Sequence, residues 1–219
     1  MLLKFKAKAV TGMLNIAVFG SGRGSNFHAI LAAIESGSIP GARIVCVVSN
    51  NSSAGILQIA RDHSLPAYHL SRTQCASEAA FLERLLGVLD SHEANLIVLA
   101  GYMKLLPSQL IARFRQRVVN IHPALLPRFG GEGMYGRYVH EAVLAAGGTE
   151  SGATVHLVDE VYDHGAILLQ RKVPILPGDS PEDLATRVLV VEHELYPEAI
   201  RRIASGELIL PAPAVLAHS

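Results

Sequence analysis

The sequence predicts one doubly wound α/β domain, and three observations carry that prediction. Continuous apolar runs rich in Val, Ile and Leu recur along the chain, as expected of strands covered on both faces in a parallel sheet. Between them lie segments whose apolar residues return every three or four positions, the period of a helix packed on one side. A glycine-rich turn, GSGRGSN, joins the first such run to the first such helix. Alternation of this kind builds a parallel sheet with helices on both faces.

Leu14–Phe19 (LNIAVF) reads as the first strand, and Asn26–Ser36 as the first helix, with Phe27, Ile30, Leu31 and Ile34 on one stripe. Arg43–Ser49 is the second strand, Ala54–His63 the second helix and Ala67–Leu70 a short third strand. Glu78–Leu89 is a helix faced by Phe81, Leu82, Leu85, Leu86 and Leu89, and Leu96–Ala100 is a wholly apolar strand. Pro107–Phe114 is a short helix, with Pro107 suited to its first turn. Val118–His122 is the next strand, stopped by Pro123, which has no N–H for a sheet ladder.

The pattern then changes. A proline- and glycine-rich loop, Pro123–Gly136, leads to a helix around Val139–Ala146. Two strands follow, Gly152–Val158 and Ala166–Val173, joined by the short acidic loop DEVYDHG, which predicts an antiparallel C-terminal portion. Ser180 as N-cap, Pro181 at the first position and Asp183 at the third open a long C-terminal helix. There is no internal repeat and no linker. We expect an extension over 1–12, one domain over 13–210 and a loose tail over 211–219.

Composition narrows the function. Half of the 219 residues are apolar and 17% are charged, which excludes a disordered chain. Lys plus Arg balances Asp plus Glu, 19 against 19, so no basic excess is present to hold a nucleic-acid backbone. Of the two cysteines, Cys46 sits in an apolar run and reads as a packing residue. No apolar run reaches membrane-spanning length, and the first residues lack a signal-peptide core, so a cytoplasmic protein is expected.

The turn at Gly20–Asn26 has the right context for an anion, because uncapped backbone N–H groups at a helix N-terminus attract negative charge. Its glycines, Gly20, Gly22 and Gly24, miss the dinucleotide spacing, and Ser49, Asn50 and Asn51 end the second strand where an acid would meet a ribose. The turn therefore either holds a phosphomonoester or only lets strand and helix approach closely.

Asn120, His122 and Asp163 form the candidate catalytic group. On a strand, residues two apart share a face, so Asn120 and His122 project side by side at the carboxyl end of the sheet, with Val119 and Ile121 opposite. Taken singly, each has an ordinary reading as turn former, buried imidazole or loop stabiliser. Together they suit acyl transfer to a neutral amine. An amide N–H and an imidazolium N–H can stabilise the oxyanion, and a carboxylate can collect the amine's surplus proton. That carboxylate is also expected to raise the His122 pKa and favour its protonated form. A metal set from His122, His156, Asp163 and His164 is the rival, but these lack helical ligand spacing, so no metal is expected.

GSGRGSN, LAGYMKLL (Leu99–Leu106), NIHPALLP (Asn120–Pro127) and VDEVYDHGAILLQ (Val158–Gln170), in that order, resemble the phosphoribosylglycinamide formyltransferase family. The likeness runs from about Leu14 to Leu208. The NIHP…LLP segment is shared with methionyl-tRNA formyltransferases and formyltetrahydrofolate deformylases. The resemblance implies transfer of a formyl group from 10-formyltetrahydrofolate to glycinamide ribonucleotide in purine synthesis, with Asn120, His122 and Asp163 catalytic. It implies that Gly24, Ser25 and Asn26 hold the ribonucleotide's phosphate and that Glu192 meets its ribose. The pterin would lie against Met103, Lys104, Leu105 and Leu106 and against the loop from Val158 and Asp159 to Asp163. Periodicity alone reads Met103 and Leu106 as core and Glu192 as a solvated helix residue. The chain departs from the family pattern in the Phe129–Gly136 loop, at His164 in place of a glycine, and at Glu78 in place of an arginine that meets the folate tail.

Two alternatives remain beside this reading: a hydrolase of the same folate, and a non-catalytic phosphosugar-binding protein. The phosphate turn argues against the first, and the polar trio against the second. A monomer and a homodimer are both compatible with the sequence.

Overall fold

The computed structural model describes residues 12–211, so the expected extension, apart from Gly12, and all of the expected tail but Pro211 lie outside the described residues. Seven strands form one sheet in the order β3-β2-β1-β4-β5-β6-β7. β1 (Leu14–Phe19), β2 (Ala42–Ser49), β3 (Ala67–His69), β4 (Leu96–Leu99) and β5 (Val118–His122) run parallel. β6 (Glu150–Leu157) and β7 (Ile167–Pro174) continue it antiparallel. Strand order reverses between β1 and β4, and open α/β sheets bind ligands in the crevice at such a switch point. The turn after β1 and the segment after β4 both emerge there.

Two apolar layers cover the sheet. Leu14, Ile16 and Val18 of β1 face α1 (Ser25–Glu35), α2 (Gly55–Asp62), α5 (Arg137–Ala145) and the long α6 (Pro181–Ala204). Ala17 and Phe19 face the other layer, with α3 (Glu78–Ser91) and α4 (Ser108–Arg113). Cys46 is buried there, and burial pushes its thiol up to about 12, which suits packing rather than nucleophilic chemistry.

Most expected elements recur within a residue or two. Pro107 is the N-cap of α4 rather than its first helical residue, because its ψ of 138° is extended. β6 begins two residues early, at Glu150, since Glu150 and Ser151 find ladder partners in Pro174 and Val173. A short 3-10 turn, Arg72–Gln74, was not anticipated. The N-terminus of α6 is a capping box: the Ser180 hydroxyl accepts from the Asp183 N–H, and the Asp183 carboxylate accepts from the Ser180 N–H.

Two features aim the site. The Tyr196 hydroxyl, fully buried on α6, lies 3.0 Å from the Leu99 carbonyl and 3.1 Å from that of Val119, bridging the ends of β4 and β5. Thr154 on β6 accepts from the Leu126 N–H and donates to the Ala124 carbonyl, so the chain leaving β5 is tied back to the sheet.

Candidate active site

β5 alternates as its sequence requires. Val119 and Ile121 join the α1/α6 layer, Val118 joins the α3/α4 layer, and Asn120 and His122 continue the Val118 face where that layer ends. Asp163 arrives from the β6–β7 connection. It holds a left-handed φ of 53°, a conformation costing about 1–2 kcal/mol for a residue with a Cβ and one that aspartate tolerates better than most. Its Oδ2 lies 3.5 Å from His122 Nδ1 and accepts the Gly131 N–H at 3.0 Å, while its Oδ1 lies 3.5 Å from His156 Nε2.

The proton positions follow from the partners. His122 Nε2 is 2.7 Å from the Phe129 carbonyl, so that nitrogen carries hydrogen and donates; Nδ1 is the nitrogen left toward Asp163. His156 Nδ1 likewise donates to the Leu157 carbonyl at 2.8 Å, which leaves Nε2 to accept from Asn120 Nδ2 at 3.1 Å. That bond sets the Asn120 amide and leaves its second N–H for a ligand.

Burial corrects one expectation. His122 is held below the ordinary imidazole value, because desolvation outweighs the help of the Asp163 charge and of the Phe129 carbonyl, and nearby His156 lowers it further. The resting imidazole is therefore neutral at pH 7, not the imidazolium expected. Burial also pushes Asp163 up, but nearby His156 and His122 and the Gly131 N–H together outweigh it, and the carboxyl stays below its usual range. Asp163 is ionised in neutral solution.

The opposite end is built on α1. Gly24, its N-cap, has a φ of 85°, and no side chain caps the helix. A Cβ at Gly24 would come within 2.9 Å of the Ile56 backbone, and one at Gly20 within 2.9 Å of the Ala100 carbonyl, so these two glycines do serve close packing. Asn26 donates from Nδ2 to Glu192 Oε2 at 2.6 Å, across 166 positions of sequence. Glu192 is only 8% exposed, which overturns its reading as a solvated residue: α6 turns it inward beneath the turn. Desolvation raises its pKa to about 7, against the lowering effect of Asn26. Arg23, Ser25, His28, Leu189 and His193 line a cavity of about 380 Å³ beside this end.

The residues implied for the pterin divide. Val158 and Asp159 line a cavity of about 620 Å³ with Ile111, Arg115 and His164. Met103, Lys104, Leu105 and Leu106 do not line it. Leu106 is buried in the same apolar layer as Ile111, as periodicity indicated, whereas Met103 is 47% exposed rather than core. Glu78 pairs with Arg72 at 2.8 Å, and His164 Nδ1 lies 3.0 Å from an Asp159 carboxylate oxygen. Among the described residues no group of His, Cys, Asp and Glu is arranged to hold a metal ion.

Two histidines were not given their place by sequence. His156 entered only as a metal candidate; it stands directly opposite Asn120 across the antiparallel β5–β6 pair, and that register has no local signature. His140 of α5, 4% exposed, is held below the ordinary imidazole value by burial and by the proximity of His122.

Fold and site define an α/β protein with an anion-receptive turn at the switch point of its sheet and an amide–imidazole–carboxylate corner beside it. A family model described as formyl transferase matches residues 14–200, and the chain belongs to that family. It is 40% identical over 198 residues to the phosphoribosylglycinamide formyltransferase of Haemophilus influenzae, covering 90% of this chain and 91% of the relative. It is 41% identical over 204 residues to the chloroplastic enzyme of that name from Vigna unguiculata, covering 93% of this chain but only 65% of the relative's length. The crystal structure of glycinamide ribonucleotide transformylase 1 from Symbiobacterium toebii superposes with a TM-score of 0.82 at 39% identity, over 89% of each chain. No helix among the described residues is long and apolar enough to cross a membrane.

Proposed function

We propose that this chain transfers the formyl group of 10-formyltetrahydrofolate to the amine of glycinamide ribonucleotide, with Asn120, His122 and Asp163 as its catalytic residues. The observation that carries the reading is the convergence on Asp163: it stands 3.5 Å from both His122 and His156, beside an Asn120 amide already fixed by His156. The formyl transferase family and the similarity to enzymes of this activity support it.

In this reading the ribonucleotide's phosphate sits at Gly24, Ser25 and Asn26, where the first N–H groups of α1 are uncapped, and Glu192 takes the ribose hydroxyls. The folate lies against Met103, Lys104, Leu105 and Leu106 and the Val158–Asp159 strand end. The neutral amine attacks the formyl carbon. The free N–H of Asn120 stabilises the oxygen that becomes negative, a role worth roughly 10²–10³ in rate where one such donor has been removed. Asp163, ionised and set against two imidazoles, collects the proton that the amine nitrogen must lose, directly or through a water. His122 Nδ1 gains basicity as negative charge builds beside it and takes from Asp163, 3.5 Å away, the proton that the carboxylate has collected, with which it hydrogen-bonds the oxyanion. When the intermediate collapses, the bond to the folate N10 breaks, the proton taken from the amine passes to that nitrogen, and N-formyl ribonucleotide and tetrahydrofolate leave.

The test follows formyl loss from 10-formyltetrahydrofolate by absorbance, with and without glycinamide ribonucleotide. Turnover that requires the ribonucleotide is the expected result. Steady release of formate without it would make the chain a hydrolase and sink the proposal.

A further inference from the structure

Ser21 ties the turn after β1 to the segment after β4, and no role so far accounts for it. β1 and β4 pair in parallel up to Phe19 and Leu99, and beyond that point each chain leaves the sheet. Ser21 sits where they part. Its N–H donates to the Gly101 carbonyl at 3.0 Å, its Oγ accepts the Met103 N–H at 2.9 Å, and its hydroxyl donates to Asn50 Oδ1 at 2.5 Å. Its carbonyl, in turn, lies 3.4 Å from Asn51 Nδ2. One small side chain thus ties together the ends of β1, β2 and β4. A serine hydroxyl has one proton, and here Asn50 takes it, so a lone pair is turned toward Met103.

That bond has a direct consequence for the donor side. The Met103 N–H is already used, so the segment Met103–Leu106 meets a folate with its later groups, anchored at one end by Ser21. The Leu105 carbonyl is held from the other side by Arg72 Nη2 at 3.0 Å. Lys104 is left exposed between the two anchors.

We propose that Ser21 is a positioning residue that sets the donor segment at a fixed distance from the acceptor turn, so that the formyl carbon and the amine meet in register. The proposal rests on the two substrate sites assigned above. Bringing two reactants together is worth most when their separation is held to a fraction of an ångström, and a misplacement of about 1 Å can cost roughly a hundredfold. Removing the Ser21 hydroxyl strands the Met103 N–H and the Asn50 oxygen together and frees the donor segment, while the backbone N–H groups of Gly24–Asn26 stay in place.

The test compares Ser21→Ala, Ser21→Thr and Asn50→Ala with the wild type by steady-state kinetics in both substrates, with calorimetric titration of tetrahydrofolate and a thermal melt for each. Ser21→Ala is expected to lower kcat/KM for the folate by roughly ten- to a hundredfold and to weaken tetrahydrofolate binding, with KM for the ribonucleotide within about threefold. Ser21→Thr, which keeps the hydroxyl, should recover most of the loss, and Asn50→Ala should show the same pattern at smaller size. Equal weakening of both substrates, a Ser21→Thr variant no better than Ser21→Ala, or no change at all would each overturn the proposal. Should the wild type bind no tetrahydrofolate, the assignment of the donor site fails first, and that outcome is read without any variant.

Discussion

The polar groups that converge on Asp163 find protein partners, and around the N-terminus of α1 some do not. The carboxylate has Gly131 and two imidazoles within reach, His122 has the Phe129 carbonyl, and Asn120 has His156. At the other end Asn26 Oδ1 and His193 Nε2 are buried without a hydrogen-bond partner among the described residues, and no side chain caps α1. An unpaired buried polar atom costs about 1–3 kcal/mol, so such atoms persist where something else completes them. In the proposed function the first region is set in advance for charge that appears only during the reaction, and the second is left open for charge and hydroxyls that the substrate brings.

Four substitutions break or sharpen that contrast. Asp163→Asn keeps the shape of the corner and removes its base, so kcat should fall by roughly 10³ or more with little change in either KM; single-turnover kinetics would check it. A fall of less than tenfold would show that the preset corner is not where the proton goes. Asn120→Ala removes one donor to the oxyanion, and kcat should fall by roughly 10².

At the open end the effect should appear in binding. In the proposed reading Glu192, with its pKa near 7, would accept from ribose hydroxyls best as a carboxylate. KM for the ribonucleotide should therefore rise as pH falls below 7, and Glu192→Gln should raise KM by roughly tenfold while removing that dependence. The same variant tests stability with the opposite sign. A carboxyl whose folded pKa of about 7 lies above its ordinary 4.5 favours the folded state at low pH, and this advantage is lost as pH rises from 4.5 through 7. At pH 8 the buried charge is a cost, so Glu192→Gln should be more stable than wild type there, by up to about 3 kcal/mol in denaturant titration, and no more stable at pH 4. The smallest effect belongs to the helix that reaches both regions: Ser180→Ala should cost about 1 kcal/mol in denaturant titration and leave kcat unchanged.

The sheet was legible because its strands are local: LNIAVF, LIVLA and VVNIH are apolar runs whatever the rest of the chain does, and Pro123 ends the last of them. The pairing of Asn120 with His122 on one face followed from strand geometry alone. What could not be read was set by distant partners. Glu192 looks like any carboxylate on an amphipathic helix until α6 lies against α1 and Asn26 reaches it. His122 was expected to be charged because Asp163 was foreseen, but the desolvation that wins is a property of the packed molecule. His156 required a cross-strand register, and the 3-10 turn at Arg72–Gln74 gives no periodic signal.

That register also sets how the chain can change length. His156 faces Asn120 because β6 pairs with β5 in one phase, and a strand's faces exchange with every residue inserted. One extra residue between Glu150 and His156 would turn either His156 or the stretch before it onto the wrong face, while the turn before Glu150 can lengthen without moving either partner. Descendants of this sequence should therefore vary in length ahead of β6 and hold a constant count from Thr154 to Asp163.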